Sequence, residues 1–265
     1  MNRTKATAAF DAYVSNYDPD NPMIHLKVVH SYKVAEIAER IARSLSNEEL
    51  VDFAWLLGLL HDIGRFEQVR RYDTFVDSQS VDHAELGADI LFKENLIDRF
   101  PTETLPEGWR ETAETAIRQH NKLAIAEGLD ERTKTFSEIL RDADKVDIFR
   151  VLSEIPYSDR NGSGGPVLPE TDEVSPEVMA CVREHRCVPS SVRKTRFDKR
   201  VSHCCFAFEL VYEESRKIVR EQGNLLKLLT MQDKDGSCSG NEEQLRQLAL
   251  VQREIEDAWG VENQS

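Results

Sequence analysis

The chain has 265 residues, and its 48 acidic residues outnumber its 34 basic residues, which gives a formal net charge of −14. A chain of this length can bury a large core without disulfides or other covalent cross-links. The acidic balance argues against the phosphate-backbone contacts of duplex DNA-binding proteins, although a metal or a local basic patch can still bind a small phosphorylated molecule.

Compartment and membrane association follow from composition. Five cysteines without a CxxC spacing favour reduced thiols in a cytosolic protein over a disulfide framework. The first ten residues lack a hydrophobic signal core, and the longest apolar run is far shorter than the ~20 residues of a membrane span. We therefore expect a cytoplasmic protein. A zinc site from Cys181, His185 and Cys187 is an alternative to ordinary thiols, but its spacing matches no common structural-zinc pattern.

The first two predicted helices cover residues 4–17 and 24–45. In the second helix, apolar residues recur at steps of three and four, and His30 lies on their inward stripe. Taken alone, a histidine in such a place is more often a satisfied core residue than a metal ligand.

A third helix is predicted by a capping box formed by Ser46 and Glu49. Its unbroken apolar run ends in His61 and Asp62, and Gly64 follows as a residue suited to ending a helix. Such a run indicates a buried helix that carries the imidazole and the carboxylate into the interior. Buried charge needs a partner. A metal ion is one candidate, and a hydrogen-bonded His-Asp pair that caps the helix is the other.

Two further histidines lie on inward faces in the next segment. Residues 67–79 show no helical period and predict a loop across the mouth of the site. A helix capped by Ser80 follows, with His83 on its inward side. Another helical stripe ends near His120.

The helix predicted for residues 135–151 carries Asp144 on its inward stripe, in register with apolar residues at steps of four. Asp142 and Asp147 lie off this line, so we expect them to be solvated, with Asp142 as the fallback ligand. No alternating strand pattern occurs in the chain, and an all-α fold is predicted.

The rest of the chain divides the protein further. Residues 1–155 are predicted to form the metal-binding helical domain, residues 156–176 a flexible Gly-, Pro- and Ser-containing loop, and residues 177–265 a helical extension packed on the core. Within the extension, helices are predicted over 201–222 and after a capping box of Asn241 and Gln244. The sequence leaves open whether this region covers the site or forms a homodimer.

Seven basic residues are concentrated between positions 183 and 200 of this acidic chain. They are Arg183, Arg186, Arg193, Lys194, Arg196, Lys199 and Arg200. A solvated or acid-paired surface is the favoured interpretation, and a flap that contacts substrate phosphates is the alternative.

The inward polar groups fall on five successive predicted helices. Independent core residues would not be expected to supply one such group on each helix, so convergence on a metal site explains the pattern better. The candidate ligands are His30, His61, Asp62, His83, His120 and Asp144.

These motifs resemble those of the HD-domain superfamily, a helical fold of metal-dependent phosphohydrolases. The family pattern matches His30 in VVHSYKV, His61 and Asp62 in LLHDIGR, and Asp144 in RDADKVD, over roughly residues 20–150. The resemblance implies an HD-domain helical bundle with a C-terminal helical extension.

The resemblance extends to a second metal. His83 in DHAELG and His120 in RQHNK are similar to the histidines that complete a two-metal site in phosphodiesterase branches of the family. The resemblance implies one or two divalent ions among Zn, Mn, Fe, Co and Ni, with Asp62 bridging them. His30, His61 and Asp144 would hold one ion, and His83 and His120 the other.

Two departures from family patterns limit the functional inference. No Gly-Tyr-Pro element follows His120, which weakens a cyclic-dinucleotide assignment, and Arg65 replaces the glutamate of some nucleotidase members. The expected activity is therefore hydrolysis of a phosphomonoester or phosphodiester of a small molecule, such as a nucleotide, with Asp62 and Arg65 as catalytic residues. The alternatives are a di-iron oxygenase of the same superfamily and a non-catalytic nucleotide-binding signalling module.

Substrate phosphate contacts are assigned to three basic residues. Arg65 is the first candidate, and a salt bridge to Glu67 or Asp73 is its alternative role. Lys122 and Lys145 are weaker candidates because both fit surface positions equally well.

Overall fold

A computed structural model describes residues 1–155 and 168–260 of the chain. These residues form α-helices joined by loops and short 3₁₀ or π turns, and they contain no β-strand. The predicted all-α fold is therefore confirmed. Within the described residues, every helix is too short or too polar to be a membrane span.

The chain divides into two compact units, residues 1–147 and 148–265. The division falls inside the seventh helix, which belongs to both. The helices from the N-terminus to this point are α1 (Arg3–Val14), α2 (Pro22–Ser44), α3 (Glu48–Leu60), α4 (Ile63–Tyr72), α5 (His83–Ala88), α6 (Trp109–Gln119) and α7 (Glu131–Glu154). The predicted functional boundary at residue 155 stays a prediction.

Helices α2 and α3 form a close pair in the first unit. A Cβ added at Gly58 would lie 2.7 Å from Cα of Ala35 and 2.8 Å from the carbonyl oxygen of Val34, so glycine permits this approach. Helix α3 buries nine of its 13 residues. As the apolar run indicates, it carries His61 and Asp62 into the interior, where they are 0% and 2% exposed.

Gly64 does not end a helix, and that prediction is wrong. It lies inside α4, where a Cβ would be 2.2 Å from the carbonyl oxygen of His83 and 2.6 Å from the backbone nitrogen of Gly87. The missing side chain therefore allows α4 and α5 to touch through their backbones.

The predicted loop over residues 67–79 is also wrong in its first half, because α4 continues to Tyr72. Glu67 and Gln68 are 4% and 0% exposed, so polar residues occupy the inward face of this helix and hide its period. The helix ends at Asp73, which has a left-handed backbone with φ of 49°.

Two helix starts differ from the predicted positions. The side chain of Asn47, rather than Ser46, caps α3 by accepting a hydrogen bond from the backbone N–H of Glu49. Asp82, rather than Ser80, caps α5, because its side chain accepts hydrogen bonds from the backbone N–H groups of Ala84 and Glu85. The caps were misplaced because several capping residues stand side by side at both sites.

The second unit contains five further helices. They are α8 (Pro176–Arg183), α9 (Arg196–Cys204), α10 (Glu213–Gln222), α11 (Asn224–Leu229) and α12 (Glu242–Ala258). The single helix predicted over 201–222 is wrong, because a 3₁₀ turn and an extended stretch separate α9 from α10. Arg216 donates two hydrogen bonds to the carbonyl oxygen of Leu210 and holds this break. The predicted capping box of Asn241 and Gln244 begins α12.

Residues 156–167 of the predicted flexible loop lie outside the described residues. Its remaining residues, 168–175, contain no helix, and α8 begins at the end of the predicted segment. The prediction that residues 177–265 pack on the core as an extension stays a prediction.

Candidate metal centre

Six side chains from five helical segments meet inside the first unit. They are His30 of α2, His61 and Asp62 at the end of α3, His83 at the start of α5, His120 at the end of α6, and Asp144 of α7. Five of the residues are at most 4% exposed, and the side chain of Asp144 is 15% exposed. The structure therefore brings together all six candidate ligands.

Two of the histidines have their ring orientation set by the backbone. Nδ1 of His61 donates to the carbonyl oxygen of Gly58 at 2.8 Å, and Nδ1 of His120 donates to that of Ile117 at 2.7 Å. A carbonyl oxygen only accepts, so Nδ1 carries a hydrogen in both rings. Each ring therefore presents Nε2 for coordination.

The other two histidines are oriented by carboxylates. Nδ1 of His30 donates to Oδ2 of Asp147 at 2.7 Å, and Nδ1 of His83 donates to Oδ2 of Asp77 at 2.6 Å. Carboxylate partners of this kind fix the ring of a metal-binding histidine and raise its basicity. All four rings thus have Nδ1 engaged.

The four Nε2 atoms surround the carboxylate of Asp62 in two pairs. Those of His30 and His61 lie 3.5 and 3.4 Å from Oδ2. Those of His83 and His120 lie 3.5 and 3.7 Å from Oδ1. Each oxygen of one carboxylate therefore faces its own pair of imidazole nitrogens, which is the arrangement that a bridging carboxylate requires.

Asp144 adds an oxygen to the first pair only. Its Oδ1 is 3.1 Å from Nε2 of His30 and 3.7 Å from Nε2 of His61. The ligand atoms of each histidine pair, taken with Asp62, lie within 4.8 Å of one another. The separations of 3.1–3.7 Å between nitrogen and oxygen atoms are about 1.5 to 1.8 times the usual metal–ligand distance of about 2.0–2.2 Å, as expected for neighbouring ligands of one ion.

Three buried polar atoms at this centre have no hydrogen-bond partner in the described part of the chain. They are Nε2 of His61, Oδ1 of Asp62 and Nε of Arg65. Buried polar atoms in folded proteins nearly always have a partner, so the clustering of these three atoms fits a site that binds a ligand. Mixed imidazole and carboxylate donors fit a divalent transition-metal ion.

The charges at the centre depend on one another. Burial alone would raise the pKa of Asp62, but Lys27, whose Nζ is 2.6 Å from Oδ2, and His61 hold it well below its usual range. The histidines similarly lower the pKa of Asp144. Burial opposes protonation of His61, yet the two carboxylates raise its pKa to about 10. The carboxylates thus stabilise positive charge at Nε2, where a metal cation would take the place of the proton.

Comparison with known families agrees with this geometry. The family model described as HD domain matches residues 28–148, a range that includes all six clustered side chains. The chain contains an HD domain. HD domains belong to a superfamily of metal-dependent phosphohydrolases and bind divalent metals. Searches of curated proteins and of solved structures found no match to the chain.

Arg65 lies beside the candidate metal centre. Its Nε is 3.7 Å from Oδ1 of Asp62, and its Nη1 donates to the carbonyl oxygen of Phe75 at 2.8 Å and to Oδ1 of Asp77 at 3.0 Å. Burial, aided by the charge of Arg65, lowers the pKa of His83 to about 4 despite Asp77. The two histidine pairs therefore differ in charge environment.

The alternative partners considered for Arg65 are wrong. Glu67 pairs with Arg70 and Arg71 instead, because residues two apart on a helix do not face each other. Asp73 is the left-handed residue that ends α4. The guanidinium is consequently directed to the centre and to the loop after α4.

The two weaker phosphate-contact candidates have different surroundings. Lys122 forms an ion pair with Asp82, the cap of α5. Lys145 is 7% exposed, so the alternative that it is a surface lysine is wrong. A contact of either lysine with substrate stays a prediction.

The expected solvation of Asp142 and Asp147 is wrong, since each is 1% exposed. Helix α7 is enclosed on several sides, so its single apolar stripe underestimates the buried surface. Asp147 contacts His30, whereas Asp142 belongs to no group of ligand atoms among the described residues. Asp144 is therefore the aspartate of α7 at the centre.

Sequence reasoning missed three residues that contact the ligands. Lys27 precedes His30 by three residues and Asp147 follows Asp144 by three, so each pair shares a helix face, and this spacing was an available signal. Asp77 comes from the loop after α4, and no periodicity points to it. Its contact exists only because the loop folds back towards α5.

The zinc alternative is not supported by the described residues. Among them, no group of clustered ligand atoms includes a cysteine, and Nε2 of His185 lies 2.9 Å from Oε2 of Glu254. Cys181 and Cys187 are buried and take part in no disulfide. The preferred interpretation as ordinary thiols agrees with this placement.

The basic stretch between residues 183 and 200 contains several ion pairs within the second unit. Three of them join Arg186 to Glu184, Lys194 to Glu177, and Arg196 to Glu170. In addition, buried Arg200 donates to the carbonyl oxygen of Leu228 at 2.5 Å. These contacts favour the acid-paired interpretation over a phosphate-binding flap.

Proposed function

We propose that this protein is a metal-dependent phosphohydrolase that cleaves a phosphomonoester or phosphodiester of a small molecule, with nucleotides as the favoured substrates. The observation that carries the proposal is the arrangement of four imidazole Nε2 atoms around the two oxygens of Asp62 within an HD domain. No role in binding duplex nucleic acid is proposed, because the net charge is −14.

The donor set accommodates one or two ions among Zn, Mn, Fe, Co and Ni. His30, His61 and Asp144 would hold one ion, His83 and His120 the other, and Asp62 would bridge them. Divalent cations bound by these residues would lower the pKa of a water molecule towards ~7 and would neutralise negative charge on the phosphoryl oxygens.

The protein's own residues then orient the reactants. Asp147 and Asp77 fix the rings of His30 and His83, so that little reorganisation is needed during the reaction. The buried Nε of Arg65 lies beside Asp62 and has no hydrogen-bond partner, so its N–H group can donate a hydrogen bond to a phosphoryl oxygen.

The test is metal analysis coupled to a screen of phosphorylated metabolites with each candidate ion. We expect bound transition metal and metal-dependent phosphate release. Substitution of His61 or Asp62 by Ala should abolish release while helix content, measured by circular dichroism, is largely retained. The matched control is His25→Ala, because His25 is an exposed histidine on α2.

Two other outcomes would replace the proposal. Oxygen uptake on polyol or phosphonate substrates by the iron-loaded protein, without phosphate release, would identify a di-iron oxygenase. Binding of a nucleotide without turnover in any metal form would identify a signalling module. Undiminished phosphate release in His61→Ala and Asp62→Ala would show that the reaction takes place elsewhere in the chain.

A further inference from the structure

Two cationic side chains flank the central carboxylate from different helices. Nζ of Lys27, on α2, lies 2.6 Å from Oδ2 of Asp62, and Nε of Arg65, on α4, lies 3.7 Å from Oδ1. The side chains of Lys27 and Arg65 are 15% and 14% exposed. Both cations are thus largely withdrawn from water at the centre.

One aromatic ring contacts both cations. Nζ of Lys27 and Cζ of Arg65 each lie 5.4 Å from the centroid of Phe75. Cation–π contacts at such distances stabilise a cation next to an aromatic face. The carbonyl oxygen of Phe75 also accepts from Arg65, so the same residue holds the guanidinium from two directions.

Both cations retain capacity for an additional anion. An ammonium group has three N–H donors, and the contact with Asp62 uses one of them. Nε of Arg65 is buried without a hydrogen-bond partner. A carboxylate oxygen has two lone pairs, so Oδ2 of Asp62 can accept from Lys27 and also face a cation.

We propose that Lys27 and Arg65, held against Phe75, form a phosphoryl-binding pair that selects the terminal phosphoryl group of a phosphomonoester over a phosphodiester. This inference rests on the proposed phosphohydrolase function and narrows its substrate class. Lys27 is the specificity-determining residue that it adds to the site.

The selection follows from the chemistry of the two ester classes. The phosphoryl group of a monoester carries about −1.5 to −2 charges at neutral pH and has three free acceptor oxygens. A diester has a single negative charge and two free oxygens. Two protein cations beside the metal centre therefore bind the monoester more strongly than the diester, because the monoester offers an additional acceptor oxygen and more negative charge.

The first experiment is calorimetry of inorganic phosphate binding to the metal-loaded protein. We expect Lys27→Met to weaken phosphate binding about 10- to 100-fold, the range for loss of a charge-assisted hydrogen bond, while Lys27→Arg restores much of it. Lys33→Met is the matched control, because Lys33 is a half-exposed lysine on the same helix paired with Glu36. Metal stoichiometry measured on each variant verifies an intact centre.

The second experiment compares p-nitrophenyl phosphate with bis(p-nitrophenyl) phosphate. For the monoester, Lys27→Met should raise KM about tenfold or more, with a smaller effect for the diester. If the wild type hydrolyses neither ester nor any screened metabolite, the proposed function fails, and phosphate calorimetry still tests the pair. Unchanged phosphate affinity in Lys27→Met, or equal losses for both esters, would overturn the inference and leave Lys27 as a counter-ion of Asp62.

Discussion

At the scale of single residues, all four clustered histidines direct Nε2 towards Asp62, and two kinds of Nδ1 hydrogen bond produce this orientation. His61 and His120 donate from Nδ1 to backbone carbonyls, whereas His30 and His83 donate to the carboxylates of Asp147 and Asp77. A backbone acceptor cannot be removed by substitution, but a carboxylate can. The contribution of ring orientation to metal binding is therefore measurable at His30 and His83, by substituting Asp147 or Asp77.

We predict that Asp147→Asn lowers metal affinity about 10- to 100-fold, because His30 loses a carboxylate acceptor that fixes its ring and raises its basicity. Competition with a chelator of known affinity measures the change. Asp98→Asn is the control, since Asp98 has a 64% exposed side chain and pairs with Arg110. Equal affinities in the two variants would assign Asp147 a purely structural role.

A second prediction at this scale concerns the number of ions. His83→Ala should reduce bound metal from two ions per chain towards one, because His83 and His120 face only Oδ1 of Asp62. Elemental analysis of protein loaded with excess metal and desalted gives the stoichiometry. An unchanged ratio of one ion per chain in both proteins would indicate a mononuclear centre.

At the scale of elements, the centre depends on how closely the helices approach. The end of α3, the start of α5 and the end of α6 each bring a histidine to the centre. Helix α4 follows α3 directly and lies against the backbone of α5. Gly64 and Gly87 allow this contact, since the Cβ of any other residue at position 64 would overlap the α5 backbone.

We predict that Gly64→Ala destabilises the protein by about 3 kcal/mol, because its Cβ would lie 2.2 Å from the carbonyl oxygen of His83 and would displace that ligand's helix. Chemical denaturation measures the loss. Gly87→Ala is the comparison, since its Cβ would approach Gly64 only to 3.1 Å, and its effect should be smaller. Metal affinity should fall with stability at position 64. A stable Gly64→Ala variant with normal metal affinity contradicts this account.

At the scale of the whole molecule, the metal is expected to stabilise the folded state. A ligand that binds only the folded protein at 100 times its Kd contributes about 2.7 kcal/mol. For a unit of the size of residues 1–147, this corresponds to roughly 5–10 °C in Tm.

We therefore predict that a chelator lowers the Tm of the metal-loaded protein by roughly this amount and that added metal restores it. Differential scanning calorimetry measures both steps. His61→Ala should show a smaller response to chelator than the wild type, because it removes a ligand of the first ion only, whereas His25→Ala should respond as the wild type does. A wild type that is indifferent to chelator argues against bound metal.

The sequence by itself determined the class of fold and the inward residues of the helices. The apolar run before His61 and the stripe containing His30 have the period of buried helices, and burial of imidazole and carboxylate groups limits their possible partners. Likewise, the capping box at Asn241 depends on residues three apart and needs no tertiary information. The local pattern was sufficient at Asn241, whereas at the starts of α3 and α5 several neighbouring capping residues left the position of the cap ambiguous.

Only the tertiary structure decided which groups lie opposite those faces. Asp77 contacts His83 because the loop after α4 folds back, and Lys27 of α2 contacts Asp62 at the end of the neighbouring helix α3. The role of Gly64 appears only when α5 lies against it. Periodicity defines a buried face but not the element that covers it, and buried polar residues such as Glu67 hide even that face. The contacts that orient the candidate ligands are long-range, and so is the contact of Lys27 with Asp62 on which the proposed substrate selection rests, so the sequence alone did not reveal them.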